Sequence, residues 1–291
     1  MNAQGRLCRI PGPDNQSFRV GDGQPLCVIA GPCVIEDREL MFSVARTLRD
    51  ACAASGLGYV FKASFDKANR TSADSSRGPG ISAGLDLLAE IRESEGVPVT
   101  TDIHEAWQAE KVAEVVDIIQ IPAFLCRQTD LLVAAGEAAG RRGRSVNVKK
   151  GQFISPAEMK GPVGKLVAAG CGDIMVTERG TFFGYHRLVN DFIGIGDMLE
   201  ARYHADVRPP VCFDATHSAQ LPGLGATSGG RRERVPLLAR AAAAAGVDAL
   251  FLECHPEPER ARSDASTMLA LSDAAPLLRQ VAAIAALVRK T

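Results

Sequence analysis

Short apolar runs alternate with longer stretches rich in alanine and leucine from one end of the chain to the other. The pattern predicts eight strands, at 25–30, 58–62, 97–101, 118–121, 145–149, 173–177, 211–214 and 249–253. Each is followed by a predicted helix, at 39–54, 82–95, 107–115, 130–139, 156–169, 191–203, 236–245 and 275–289. The strands lack clean alternation, as expected for strands buried on both faces of a parallel sheet. Eight β/α units over roughly 250 residues fit a (β/α)8 TIM barrel better than an open doubly wound sheet. A GxGxxG motif after the first strand is absent, which disfavours a dinucleotide-binding half. We expect a single barrel domain over 1–291, with 1–24 a turn-rich extension that closes the barrel bottom.

Composition narrows the function. The 291 residues carry a formal charge of −1, so no global field draws the chain to nucleic acid or to an acidic membrane. There is no run of 18 apolar residues and no signal-peptide pattern, and the expectation is a cytoplasmic protein. The eight cysteines lack CxxC spacing and read as reduced thiols.

In such barrels the chemistry sits on the C-terminal strand ends and the loops beyond them. Here those ends carry Cys33; Lys62, Ser64, Lys67, Asn69 and Arg70; Asp102 and His104; Gln120, Phe124 and Arg127; Lys149 and Lys150; Arg179; Asp214 and His217; and Glu253 with His255. Taken singly, each has a plain structural reading; their repetition at eight equivalent ends does not. Lys62, Lys67, Arg70, Lys149, Lys150 and Arg179 predict a strongly anionic small substrate. Cys33, His217, Glu253 and Asp264 form a borderline-soft donor set suited to zinc, iron or manganese rather than calcium. The stretch 223–232, GLGATSGGRR, reads either as a phosphate cradle or as a mobile loop over the mouth.

Long motifs resemble the 3-deoxy-D-manno-octulosonate 8-phosphate synthase family: AGPCVIE (30–36), FKASFDKANR (61–70), RGPG (77–80), TDIHE (101–105), QIPAFLCRQTDLL (120–132), VNVKKGQF (146–153), TERGTFFGY (177–185), FDATHS (213–218), SGGRR (228–232) and ECHPEPERARSDAS (253–266). That family joins phosphoenolpyruvate to D-arabinose 5-phosphate for lipopolysaccharide synthesis. The resemblance implies that Lys67, Lys149 and Arg179, helped by Lys62, Ser64 and Gln120, hold phosphoenolpyruvate. Asn69, Arg70 and Thr71 would hold the pentose phosphate, beside Phe124, with Asp102 near the sugar hydroxyls. Lys67, His217 and Asp264 would be catalytic, and Arg127 would reach a neighbouring subunit of a homotetramer.

One branch of the family has Asn at the first metal position. Cys33 there, with His217, Glu253 and Asp264, resembles the branch that uses a divalent metal (Zn, Fe, Mn or Co). The departures are Thr71 for Ser, the residues His186, Arg187 and Asn190, and a basic insertion at 141–144 expected to lengthen a surface loop. Two alternatives stay open at this point. One is the related synthase that uses erythrose 4-phosphate, which carries Lys-Pro-Arg-Thr where this chain has KANR at 67–70; the other is a non-catalytic sugar-phosphate-binding barrel.

Overall fold

In a computed structural model of the protein, residues 5–68, 77–183, 186–204, 207–223 and 229–289 are described. Eight parallel strands form a closed barrel: β1 (Cys27–Gly31), β2 (Gly58–Lys62), β3 (Val99–Asp102), β4 (Ile118–Ile121), β5 (Ser145–Lys149), β6 (Ile174–Glu178), β7 (Val211–Asp214) and β8 (Ala249–His255). Closure comes from β8 pairing with β1, in register Ala249↔Cys27 to Glu253↔Gly31, and with β7 on its other edge. Every residue of β1, β5, β6, β7 and β8 is buried, which is why their sequences do not alternate.

The outer layer is α1 (Arg38–Ala54), α2 (Ile81–Ser94), α3 (Gln108–Val115), α4 (Thr129–Arg142), α5 (Lys160–Ala168), α6 (Phe192–Glu200), α7 (Val235–Ala244) and α8 (Leu271–Val288). Asp37 caps α1, its carboxylate accepting from Leu40 N at 2.9 Å. Most predicted boundaries shift by one or two residues; four shift further, with α4 running on to Arg142 rather than 139, α6 stopping at Glu200 rather than 203, and the fifth and eighth helices starting elsewhere than predicted. The fifth helix begins as a 3-10 turn, Pro156–Met159, under a Ser155/Glu158 capping box. The eighth starts at Leu271 and carries Pro276 inside it. By length and hydropathy α8 could cross a bilayer, but it packs on α1 and α7 and buries Leu271, Ala274, Leu277, Leu278 and Val281.

The basic stretch at 141–144 is not a lengthened surface loop. Arg141 and Arg142 form the last turn of α4 and pair with Glu110 at 2.7 and 2.8 Å, Arg142 also with Glu114 at 2.8 Å. Gly143 ends the helix at φ 62°, and Arg144 turns inward to Asp117 at 3.2 Å.

Before the barrel, Leu7–Pro11 and Ser17–Gly21 pair as an antiparallel hairpin. Its Cys8, Ile10 and Val20 cluster with Cys27, Ile29, Val60, Ile118, Met175, Cys212, Ala249 and Phe251 from the strands. Arg6 ties the hairpin to Asp248 at 3.2 Å, and Arg9 N donates to Asp173 at 2.7 Å. All eight cysteines are free and buried.

Candidate active site

Close strand approach builds the rim. A Cβ on Gly31 would lie 2.1 Å from the Lys62 carbonyl, so glycine lets the ends of β1 and β2 close together. Val34 then bridges Ser64, and Lys62 Nζ donates to the Cys33 carbonyl at 2.9 Å. The same ammonium donates to Glu253 Oε1 at 2.8 Å.

Three of the four expected metal donors meet. One ligand atom each from Cys33, Glu253 and Asp264 lies within 4.8 Å of the others. Cys33 Sγ is 3.0 Å from Asp264 Oδ2, and Lys67 Nζ contacts both, at 3.1 Å from the sulfur. His217 stands alongside, with Nε2 at 3.8 Å from Glu253 Oε1 and 4.0 Å from Asp264 Oδ2. Its Nδ1 is held by Asp214 Oδ2 at 2.7 Å, so a neutral ring keeps its proton there and turns the Nε2 lone pair toward the cluster.

Asp264 reaches this place on a loop fixed at both ends, where Cys254 pairs with Leu269 and His255 with Ala270. Within it, Arg232 Nη2 donates to the Ala265 carbonyl at 2.6 Å and Arg262 N to Glu36 at 3.1 Å. Asp264 itself sits at φ 49°, a left-handed conformation that aspartate tolerates at a cost.

Two observations test whether a divalent metal fits. Glu253 Oε2 is buried without a hydrogen-bond partner, an expense that a cation would remove. Burial, and then Glu253, push the Cys33 thiol up, out of the range where a thiolate forms unaided. A thiol, an imidazole lone pair and two carboxylates, one of them with an orphaned oxygen, fit a borderline-soft divalent ion.

Beside this cluster lies a cationic wall. Lys149 Nζ donates to Asp214 at 2.7 Å and stands 3.4 Å from the centroid of the Phe251 ring. Arg179 is buried; its Nη2 donates to Gln220 Oε1 at 2.7 Å while its Nη1 has no partner. Burial opposes ionisation of Asp214, Asp264 and Glu253, yet their neighbours outweigh it: the His217 Nδ1–H and Lys149 for Asp214, Lys67 for Asp264, Lys62 for Glu253. All three carboxyls are held below their ordinary range.

Asp102 accepts from Ser64 Oγ at 2.9 Å and Gln120 Nε2 at 2.8 Å. Gln120 in turn accepts from Asn147 at 3.1 Å, and Asn147 from Thr177 at 2.7 Å. Ser64 and Gln120 therefore act here as supports of Asp102. Phe124 and Arg127 are exposed beyond β4. Asn69, Arg70 and Thr71 lie outside the described residues, as do residues 224–228 of the glycine-rich stretch.

Lys150 does not join the cationic wall. It is buried and bonded to the Gly151 and Ile154 carbonyls at 3.2 and 3.0 Å and to Thr181 Oγ1 at 3.2 Å, with Glu178 at 3.4 Å. Lys150 lies just past the end of β5, and these acceptors, none shared with Lys149, take up its ammonium. Sequence reasoning gave no role to Asp214, Gln220 or Thr216. Gln220 links Arg179 to Asp264, donating to it at 3.1 Å, and Thr216 Oγ1 accepts from Glu253 N at 2.8 Å. The available signal was FDATHS, which sets Asp214 one turn before His217.

Residues 9–288 match the model of the DAHP synthetase I family. A 2-dehydro-3-deoxyphosphooctonate aldolase of Cyanothece sp. is 53% identical over 266 residues, 91% of this chain and 94% of that protein. One of Nitratidesulfovibrio vulgaris is 55% identical over 258 residues, covering 88% and 91%. Another, of Desulfotalea psychrophila, is 50% identical over 279 residues, 96% of each chain.

Proposed function

The chain belongs to the DAHP synthetase I family, and from that premise we infer that it is a 2-dehydro-3-deoxyphosphooctonate aldolase. It condenses phosphoenolpyruvate with D-arabinose 5-phosphate and water, releasing inorganic phosphate. The observation that carries this is the meeting of buried Lys62, Lys149 and Arg179 with Lys67 at one mouth, Arg179 keeping an unpartnered Nη1. A dianion with an adjacent carboxylate is the ligand such a wall stabilises.

Lys67, Lys149 and Arg179 take the phosphate and carboxylate of phosphoenolpyruvate, with Lys62, Ser64 and Gln120 behind them. Asp102, fixed by its two donors, meets the sugar hydroxyls, and Asn69, Arg70 and Thr71 take the pentose phosphate. The electron-rich C3 then attacks the aldehyde carbon, water adds at C2, and phosphate leaves with cleavage of its C–O bond. Holding two mutually repelling anions in line is a large part of the work. Lys67 neutralises the departing phosphate, and His217 and Asp264 are the imidazole and carboxylate in reach of the water's proton.

Cys33, His217, Glu253 and Asp264 would hold a divalent cation. Such an ion, when bound, supplies Lewis acidity toward an oxygen of the reactants. Ligation and proton transfer compete for His217 Nε2. We also read the chain as one barrel domain plugged by its N-terminal hairpin, working in the cytoplasm as a homotetramer in which Arg127 serves a neighbouring site.

The test is phosphate release on mixing phosphoenolpyruvate with a panel of aldose phosphates. Arabinose 5-phosphate should be strongly preferred; a comparable kcat/KM for erythrose 4-phosphate would overturn the assignment.

A further inference from the structure

At the end of the barrel away from this mouth, a cavity of about 530 Å3 opens between the N-terminal hairpin and the C-terminal ends of α2 and α4. Four arginines line it: Arg9, Arg92, Arg142 and Arg144. Among the described residues that line it, the one acid is Asp14, exposed on the hairpin turn, where it and Asn15 hold left-handed φ of 54° and 58°.

The inner two guanidiniums share one carboxylate. Asp117, fully buried, takes Arg92 at 2.9 Å and Arg144 at 3.2 Å, so the pair keeps one uncompensated charge. Burial, set against Asp117, lowers the pKa of Arg144, and the charges of Arg92, Arg142 and Arg9 lower it further. The four cations thus feel one another across the cavity. Arg9 spans it, its Nη2 donating to the Gly143 carbonyl at 2.8 Å while its Nε pairs with Asp173 at 3.5 Å. The outer Arg142 leans on exposed Glu110 and Glu114. Like charges gathered round a polar hollow are a cost that a bound anion offsets.

We propose that this cavity is a second anion site, which takes a phosphate dianion, free or as a monoester. Its volume lies within the range of small-molecule pockets. Ligand there would tie the hairpin to α2 and to the end of α4, so occupancy braces the barrel from below. The strands are four to seven residues long, and at ~3.3 Å per residue that keeps the site more than ~10 Å from the catalytic mouth.

The test uses R9Q/R142Q, which spares the two arginines that neutralise buried Asp117. Inorganic phosphate and, separately, glycerol 3-phosphate are titrated calorimetrically at constant ionic strength into wild type and the double variant. Wild type should show a phosphate-binding event that the variant lacks or shows about tenfold or more weaker, having lost two charge-assisted contacts. The variant should keep wild-type kcat and KM, locating the loss away from the mouth. Tighter binding of one probe identifies the source as free phosphate or monoester. Superimposable titrations of the two proteins, or a signal that chloride reproduces, would overturn the proposal. If R9Q/R142Q unfolds, R142Q alone is titrated, and an unchanged phosphate affinity there overturns it as well.

Discussion

Asp214→Asn is the sharpest probe of the mouth, because this one buried carboxylate holds both a candidate ligand and a candidate substrate cation. It accepts from Lys149 Nζ and His217 Nδ1, each at 2.7 Å, and from His217 N at 2.8 Å. The amide keeps the shape and one acceptor but removes the charge. Breaking a buried ion pair costs about 3–5 kcal/mol. The low end applies, since the amide oxygen, kept at the Oδ1 position by the His217 backbone N–H, preserves that hydrogen bond while the NH2 group takes the Oδ2 position. At ~2–4 °C per kcal/mol for a chain of this size, Tm should fall by roughly 6–12 °C.

The second effect is on the imidazole. An amide N–H facing Nδ1 favours the tautomer with the proton on Nε2, which removes the lone pair aimed at Glu253 and Asp264. Loss of such a partner weakens metal binding by about 10–100-fold. Competition against a chromophoric chelator measures zinc affinity, and a thermal melt measures Tm. Wild-type zinc affinity in the variant would refute the argument that Asp214 sets the His217 tautomer.

Extensive chelation should abolish turnover and zinc, manganese, iron or cobalt should restore it; Cys33→Ala should lose metal and activity together, whereas Cys33→Asn should keep partial activity, and a metal-stripped wild type with full kcat would contradict this. Arg127→Ala should raise KM for the pentose phosphate about tenfold with Tm unchanged, if the loss is one charge-assisted contact; a stable monomer of full activity would remove the shared-site reading. Asp102, Asp214, Glu253 and Asp264 all have folded pKa values below their unfolded ones, so their contribution is complete above about pH 5 and is lost as pH falls through the lower folded values. Urea melts should therefore show stability dropping below about pH 5, less steeply in Asp214→Asn; a flat profile from neutral pH to pH 3 would contradict it.

The barrel was legible because parallel strands buried on both faces leave continuous apolar runs, and chemistry-bearing residues collect where those runs stop. What escaped was direction. Lys149 and Lys150 look equivalent in sequence, and only the fold pairs one with Asp214 and the other with the Gly151 and Ile154 carbonyls. The stretch at 141–144 read as an inserted loop because its partners, Glu110, Glu114 and Asp117, lie on neighbouring elements well before it. Gln220 carries no motif, and its bridge from Arg179 to Asp264 exists only once the strand ends converge.

The loop bearing Asp264 is clamped where Cys254 pairs with Leu269 and His255 with Ala270, and is fastened between by Arg232 and Arg262. Drawing in a donor from a free segment of that length would consume roughly 2 kcal/mol of chain entropy at each capture. Here that ordering is completed when the barrel folds. Metal uptake should then behave as entry into a finished cage, with a small heat-capacity change, and the ion's release should be governed by its bonds rather than by the loop's motion.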